Sequence, residues 1–316
     1  MRFDNRSRVS TYLSAWMPTG DSRVSVAGYF AGGDSGSYFN NIDRIAFPAD
    51  TKTTLAATLP TAIAAGACFS DSGVAGYVAG GYTGSASSAI QKLTYSGETT
   101  STLGATLTNA RYANAGFSNT GVAGYAGGGL DSVGNAISGI DKIAFPADTK
   151  TTLAATLTAA RFYPAGMADY SVAGYFGGGY GPTSGIDKIT FPADTKTTLS
   201  ATLSSARHSL AGMANSGVAG YFAGGDDGAE ISGIDKITFP ADTKTTLSAT
   251  LTAAKALFQG MADSGVAGYF GGGQTSGGNV DTIDRIAFSA DTKTTLAATL
   301  TSARRRASGF ANCGVF

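Results

Sequence analysis

The chain reads VAGYFGG at residues 172–178 and IDKITFPADTKTTL at residues 186–199, and versions of both strings recur along its length. The tyrosine of the first string occurs at Tyr29, Tyr77, Tyr125, Tyr175, Tyr221 and Tyr269, in steps of 46 to 50 residues. The second copy is degenerate and reads QKLTYSGE at residues 91–98, but it keeps the register. A period of this length is typical of repeat architectures in which each unit packs against its neighbours. We therefore predict one domain of six units.

The spacing inside the unit separates strands from loops. The residue number rises by 13 from the isoleucine of the second string to its last leucine in all six copies, and by 22 from that leucine to the next repeat tyrosine in all five complete cases. From the tyrosine to the isoleucine the step varies from 11 to 15 residues. Paired strands must keep their register, whereas a loop in water tolerates insertions. One loop per unit is therefore predicted to carry all the length variation.

Each unit is predicted to form four short β-strands, termed a, b, c and d in chain order. In the fourth copy these cover residues 162–167, 172–176, 186–191 and 197–203, where alternating, β-branched and aromatic residues concentrate. Pro192 and Asp194 mark a turn between strands c and d. Six four-stranded units describe a β-propeller, so we expect an all-β, six-bladed disc.

The unit resembles the kelch repeat. The matching residues are the strand Gly174-Tyr175-Phe176-Gly177-Gly178, the later strand with hydrophobic-Asp-[Lys/Arg]-hydrophobic residues, and the Arg after strand d. Kelch periods are close to 50 residues, and the resemblance covers roughly residues 24–316. One position departs from the family pattern, because kelch units carry a Trp in strand d where this chain has a leucine such as Leu199.

The two ends of the chain predict how the ring closes. Residues 304–315 match residues 255–266, which begin a unit, whereas the first copy starts at strand b near Val24 and has no strand a of its own. We expect residues 304–316 to supply that strand beside Tyr29, which leaves no open sheet edge at the seam. The predicted organisation is an N-terminal arm at residues 1–20 and a single six-bladed propeller at residues 21–316.

Composition argues against several classes of function. The chain has 22 basic and 22 acidic residues, and this balance argues against a nucleic-acid partner, because nucleic acids select basic surfaces. One His and two Cys cannot supply a His-cluster or Cys₄ metal site. The sequence contains no apolar run long enough for a membrane span and no signal-peptide core. We expect no cofactor, no bound metal and no membrane span.

The single histidine and the repeated aspartates, residue types that enzymes use in catalysis, are interpreted as structural. His208 is the single histidine, and no Gly-x-Ser-x-Gly elbow accompanies it. The copper-dependent oxidases that resemble kelch proteins use two His ligands, which this chain lacks. The aspartates of strand c and of the c–d turn lie on separate blades, without a calcium-loop motif. The sequence thus predicts a protein that is not an enzyme.

A basic residue recurs directly after strand d, and two interpretations of it stay open. The set is Arg111, Arg161, Arg207, Lys255 and Arg304, and Ile63 interrupts it. Strand alternation places these residues and the b–c loops on one face of the disc, near the mouth of the central pore. As a ring they would attract an acidic or sulfated ligand. Alternatively, each bonds carbonyls or a carboxylate of the neighbouring blade, and we favour this second interpretation.

The variable b–c loops are the best candidates for a binding surface, because binding sites are commonly built from changing loops on a rigid scaffold. Solvated loops without a ligand are the alternative. The candidate loop residues are Tyr38, Phe39, Asn40, Tyr82, Asp131, Tyr180, Asp226 and Asp227. In the arm, the candidates for attachment to a partner are Arg2, Arg6, Arg8 and Trp16, with a frayed terminus as the alternative.

Low charge, strands rich in small residues and nearly identical repeats resemble the kelch-like proteins among the tail and fibre components of bacterial viruses. The resemblance implies a non-catalytic virion protein, assembled in the host cytoplasm, that docks through one face or through the arm. Its partners would be other virion proteins and a glycan or protein of the host surface. The alternative is a cellular protein-interaction or carbohydrate-binding propeller.

Overall fold

The described part of the chain, residues 26–312 of a computed structural model, forms six antiparallel sheets that each contain four blade strands. Strand a of every blade contacts strand a of the next blade, and these six strands close a ring around the axis. The prediction of an all-β, six-bladed propeller is confirmed. No helix within this range is long and apolar enough to cross a lipid bilayer.

The strands are short and nearly the same from blade to blade. In blades 1 to 6, strands a are Ser308–Ala311, Ala67–Asp71, Ala115–Asn119, Ala165–Asp169, Ala211–Asn215 and Gln259–Asp263. Strands b are Ala27–Ala31, Ala75–Ala79, Ala123–Gly127, Ala173–Gly177, Ala219–Ala223 and Ala267–Gly271. Strands c are Ile42–Ala46, Ser87–Thr94, Ile140–Ala144, Ile186–Thr190, Ile234–Thr238 and Ile283–Ala287. Strands d are Thr51–Thr54, Thr99–Tyr112, Thr149–Thr152, Thr195–Thr198, Thr243–Thr246 and Thr292–Thr295.

Three further short strands lie in the b–c loops. Leu130–Asp131 pairs with the end of Thr99–Tyr112, and Gln274–Thr275 pairs with Gly278–Asn279.

The ring closes between the two ends of the described chain. Ser308–Ala311 pairs antiparallel with Ala27–Ala31, and Phe310 stands opposite Tyr29. The predicted seam is confirmed in this strand, while residues 313–316 lie outside the described part. The N-terminal arm also lies outside it, and with it the attachment candidates Arg2, Arg6, Arg8 and Trp16.

Strand d is shorter than predicted in five blades. In blade 4 it covers Thr195–Thr198 and not residues 197–203. The chain leaves the sheet after Thr198, and Leu203 enters the core with 3% exposure. Leu107, the equivalent residue of blade 2, is also 3% exposed but lies within a continuous strand, so burial of this leucine does not require the chain to leave the sheet. In blade 2, by contrast, strand d continues for 14 residues.

The repeat tyrosine and the aspartate of the c–d turn join successive blades. Tyr125 stacks between Phe117 of its own blade and Phe191 of the next, at centroid distances of 5.0 and 5.3 Å. Its hydroxyl donates to Asp194 Oδ1 of the next blade at 2.7 Å, and Lys142 Nζ lies 2.6 Å from Asp194 Oδ2. The equivalent pairs are Tyr77–Asp148, Tyr175–Asp242, Tyr221–Asp291 and Tyr269–Asp50. The turn aspartates are therefore contacts between blades.

The aspartate of strand c is the centre of a second contact between blades. Asp187 is 1% exposed and accepts the Thr158 N–H at 2.9 Å, the Thr158 hydroxyl at 2.5 Å and the Thr198 hydroxyl at 2.9 Å. Arg161 Nη2 donates to its Oδ2 at 2.9 Å. Burial by itself would raise the pKa of Asp187, but the bonds from Thr158 and the charge of Arg161 hold it below its usual value.

Acid is expected to unfold the protein through these carboxylates. The pKa values of Asp43, Asp141, Asp187, Asp235 and Asp284 are all lowered in the folded state. A lowered folded pKa contributes stability that is present above the unfolded pKa of about 4 and is lost as the pH falls through the folded value. We expect the urea midpoint to drop below about pH 4. A midpoint that stays constant from pH 5 to pH 2.5 would contradict this role.

Candidate ligand-binding face

The five basic residues that follow strand d are buried, with exposures of 0 to 3%. Arg161 donates to Phe176 O at 3.1 Å and to Asp187 Oδ2 at 2.9 Å, both in the neighbouring blade. The corresponding ion pairs are Arg111–Asp141, Arg207–Asp235, Lys255–Asp284 and Arg304–Asp43. The structure therefore places these side chains inside the disc and not as an exposed ring at the pore mouth, a geometry that agrees with contacts between blades.

The interruption of the basic set has a counterpart in strand c. Ile63 stands in the basic position before blade 2, and Gln91 stands in place of the aspartate within that blade. Gln91 Oε1 accepts the Thr61 N–H at 2.9 Å. The chain has thus replaced both charges of this junction. An unpaired buried charge is costly, whereas a neutral pair is not, which explains why the two positions differ together.

A closed ring of six backbone hydrogen bonds surrounds the axis on the face that carries the b–c loops. Each N–H donates to the equivalent carbonyl of the preceding blade, with N···O distances of 2.7 to 2.9 Å. All six residues have φ between 53 and 58°, a conformation that is unfavourable for side chains other than glycine by about 1–2 kcal/mol. The ring consists of Ala65, Ala113, Tyr163, Ser209, Leu257 and Arg306. These six residues, termed the mouth ring, present their side chains where the axis opens.

A second set of residues surrounds the mouth ring. The residue just before each mouth-ring position pairs with the residue just after a glycine pair. These pairs are Arg305–Asp34, Ala64–Tyr82, Tyr112–Leu130, Phe162–Tyr180, His208–Asp226 and Ala256–Gln274. The glycine pairs allow a left-handed backbone and a close approach of neighbouring chain segments. Gly178 has φ +66°, and a Cβ there would lie 2.6 Å from Arg207 O.

The six units differ most at the positions on this face. The mouth ring contains five residue types, and the paired positions around it combine aromatic, acidic, basic and apolar side chains. On the opposite face the five continuous a–b turns are similar, with Tyr170 as the one large side chain among them. A valine precedes strand b in every blade: Val26, Val74, Val122, Val172, Val218 and Val266. Variation confined to one face of a uniform scaffold indicates a binding surface. We term it the variable face.

Aromatic side chains contact one another across the variable face. Tyr82 lies between Tyr38 and Tyr112, with ring centroids at 5.9 and 4.9 Å. Tyr180, which is 50% exposed, stacks on Phe162 at 4.6 Å. Edge-to-face and stacked pairs of this kind hold their rings in place. The aromatic surface is therefore largely formed before any ligand arrives.

Tyr163 of the mouth ring connects these aromatic groups. Its ring centroid lies 5.7 Å from that of Phe162. The pKa of Tyr112 is raised, chiefly by burial and to a smaller extent by the neighbouring phenols of Tyr163 and Tyr82. The phenols of three blades thus approach one another beside the axis.

The opposite side of the mouth is polar. Asp34 is 3% exposed and accepts from Arg305 Nε at 3.3 Å and from Arg306 Nε at 2.6 Å. Arg305 also donates to the side-chain oxygen of Gln274. Two guanidinium groups share one carboxylate, so this part of the variable face keeps an excess of positive charge.

The remaining loop candidates do not join the aromatic surface. Phe39 is half-buried and lies against the Arg304 guanidinium at 5.6 Å, and Asn40 is exposed beside it. Asp131 accepts the N–H groups of Val133 and Asn135 within its own loop, and these bonds, chiefly that from Asn135, lower its pKa.

The acidic residues near His208 also stay within their own loop. Asp226 accepts the Gly228 N–H at 2.9 Å, and Asp227 is exposed. His208 Nδ1 lies 2.9 Å from Ser209 Oγ. Burial lowers the pKa of His208, and the negative charge of Asp226 offsets part of this effect. The imidazole of His208 thus contacts the Ser209 hydroxyl and lies with its ring centroid 5.0 Å from that of Tyr180. In residues 26–312, no three His, Cys, Asp or Glu side chains group as metal ligands.

Five residues of the variable face were missed by reasoning from the sequence: Tyr112, Phe162, Tyr163, Arg305 and Arg306. They lie just after the basic position, in a link without length variation. A column-by-column comparison of the six units would have found them, because the columns next to the basic residue are among the most varied.

No protein-family model matches this chain, and no curated protein matches it. The likeness to kelch repeats rests on the chain's own residues and on the propeller fold.

Proposed function

We propose that this protein is a non-catalytic binding propeller that serves as a tail or fibre component of a bacterial virus and presents its variable face to the host surface. One observation carries the proposal: the six units vary on one face and are nearly uniform on the other. A uniform face suits attachment to an assembly, and a varied face suits recognition of one ligand. The composition and repeat style noted above favour the viral setting.

The uniform face has an apolar feature that supports docking. Its six valines are 37 to 50% exposed and occur once per blade. Single exposed apolar residues are common on protein surfaces, so it is the recurrence of this valine at one position in all six blades that supports docking. In this proposal the valine ring contacts the virion, and the variable face points away from it.

Two variants test this division of roles. We expect the wild-type protein to co-purify with virus particles, and the variant with Val122→Ser and Val218→Ser to lose at least about 90% of that association. Tyr180→Ala is expected to stay on the particles and to reduce their adsorption to host cells. Exposed substitutions usually change stability by less than about 0.5 kcal/mol, and circular dichroism melting checks that both variants are folded.

A protein that is found in infected or producing cells but is absent from their particles would contradict the viral role and favour a cellular binding propeller. Particles that keep the valine variant would instead contradict the docking face.

A further inference from the structure

We propose that the variable face binds an acidic saccharide, with the sugar rings on the tyrosine surface and a carboxylate on Arg306 at the axis mouth. This inference rests on the binding role proposed above and names the class of ligand. Three features carry it: the shape of the mouth, the aromatic surface and the excess positive charge.

The mouth is a narrow depression with a cavity volume of about 30 Å³, which is room for only one or two water-sized groups. The mouth ring forms its rim, and below the rim it has apolar walls from Leu210 and Phe258 and amide groups from Asn114 and Gln259. Backbone hydrogen bonds around the whole rim keep this shape fixed. A small polar group such as a carboxylate fits this depression, while sugar rings stay outside it on the aromatic surface. The Asn114 amide is already bonded to Ala67 N–H and to Ala79 O, so it helps to shape the site.

The aromatic surface supplies the contacts that sugar rings need. A pyranose has a C–H face that packs on an aromatic ring, and its hydroxyls bond phenols and amides. Tyr163 opens into the depression, and Tyr180 shows an exposed ring held by Phe162. From Tyr38 through Tyr82 and Tyr112 the surface runs from a loop toward the axis. This arrangement accommodates several sugar residues in a row.

The charge of the mouth selects an acidic sugar over a neutral one. Asp34 engages the Nε of Arg306 and of Arg305, and this fixes both guanidinium planes while neutralising one charge of the two. Arg306 lines the depression itself. A fixed guanidinium is a strong partner for a carboxylate, because it offers two parallel N–H donors.

A folded protein partner fits this face less well. Protein interfaces need an apolar centre. In residues 26–312 only Val133 and Tyr180 of this face are among the exposed large apolar side chains, and the other six are the valines of the uniform face. The aromatic rings are spread out and separated by polar groups.

The test uses the whole protein on a glycan array that carries uronic-acid oligosaccharides beside their carboxyl-reduced, neutral forms. Hits are then measured by titration calorimetry. We expect an acidic oligosaccharide to bind at least about tenfold more tightly than its reduced form, with a ratio that shrinks in high salt. Arg306→Gln should bring the ratio close to one. Tyr180→Ala should weaken both forms alike, by roughly three- to tenfold.

Matched controls lie on the opposite face. Tyr170 is in an a–b turn, and Arg44 lies beside Glu98 of a c–d turn at 3.2 Å. Tyr170→Ala and Arg44→Gln are expected to leave both affinities unchanged. If the acidic and reduced forms bind equally, or if Arg306→Gln keeps the preference, the acidic class is wrong while the binding role stands.

If the array shows no binding but particles still adsorb to host cells in a Tyr180-dependent way, the ligand is not a saccharide of this class. If Tyr180→Ala leaves adsorption unchanged as well, both this inference and the proposed binding face fail.

Discussion

Replacing Arg161 by alanine is expected to lower the free energy of unfolding by about 3–5 kcal/mol, the usual cost of removing one partner of a buried ion pair. Asp187 would keep its bonds to Thr158 and Thr198. It would lose its buried cation, and the partly exposed Lys196 Nζ, 3.7 Å from Oδ1, would be the cation left beside it, which favours the lower end of this range. With Asp187 only 1% exposed, solvent cannot replace the lost charge. The loss should appear as a lower midpoint in urea with an unchanged slope.

The uncharged junction of blade 2 suggests a second substitution that should restore part of the lost stability. The Ile63–Gln91 junction has no charge at either position, so a variant with both Arg161→Ile and Asp187→Gln copies a junction that this fold already accepts. We expect the double variant to recover more than half of the loss, whereas Arg161→Ile alone should behave like Arg161→Ala. If the loss of stability in the double variant equals the sum of the losses measured for Arg161→Ile and Asp187→Gln singly, the two side chains do not interact.

The same variant separates the two interpretations of the basic residues. A buried contact between blades predicts that Arg161→Ala melts earlier and keeps its affinity for any ligand of the variable face when measured below its melting temperature. A variant that keeps its melting temperature and loses the ligand would restore the idea of a ligand-attracting basic ring.

The fold could be predicted from the sequence because the same pattern of four strands recurs in six units. Constant spacing identifies paired strands, and the incomplete first unit identifies the seam at Phe310 and Tyr29. The length of strand d could not be predicted in the same way. Leu203 and its equivalent in blade 2, Leu107, are buried alike, yet strand d ends at Thr198 in one blade and continues in the other. The repeat pattern does not distinguish these two outcomes.

The binding face was predictable in part. Length variation indicates the b–c loops, and these supply Tyr38, Tyr82 and Tyr180. Arg306 was missed because it lies in a link without length variation. Its bond to Asp34, 272 residues away, is made across the predicted ring closure. Phe39 packs on Arg304, which comes from the other end of the chain, so its separation from the other aromatic rings depends on ring closure.

Replacing Gly166 by alanine is expected to destabilise the propeller by more than about 3 kcal/mol, at the upper end of overpacking costs. A Cβ at Gly166 would overlap the carbonyl of Gly116 in strand a of the preceding blade, and Gly212 and Gly260 make the same approach to their neighbours. Both partners are backbone within the inner ring, so neither can rotate away. Relief would require two blades to move apart along their whole contact.

Gly104→Ala is the matched control, because an added Cβ there meets no atom within 4 Å and the residue is exposed in strand d. Its stability should change by no more than about 0.5 kcal/mol. Cys68 occupies the same inner position in blade 2 and carries a side chain there, next to the seam strand Ser308–Ala311. The inner ring of strands a thus accepts the Cys68 side chain next to blade 1. Strand a of that blade, Ser308–Ala311, comes from the other end of the chain and can shift its position more easily. If Gly166→Ala unfolds at the same urea concentration as Gly104→Ala, the close approach of glycines does not set the blade spacing, and the uniform inner ring has another cause.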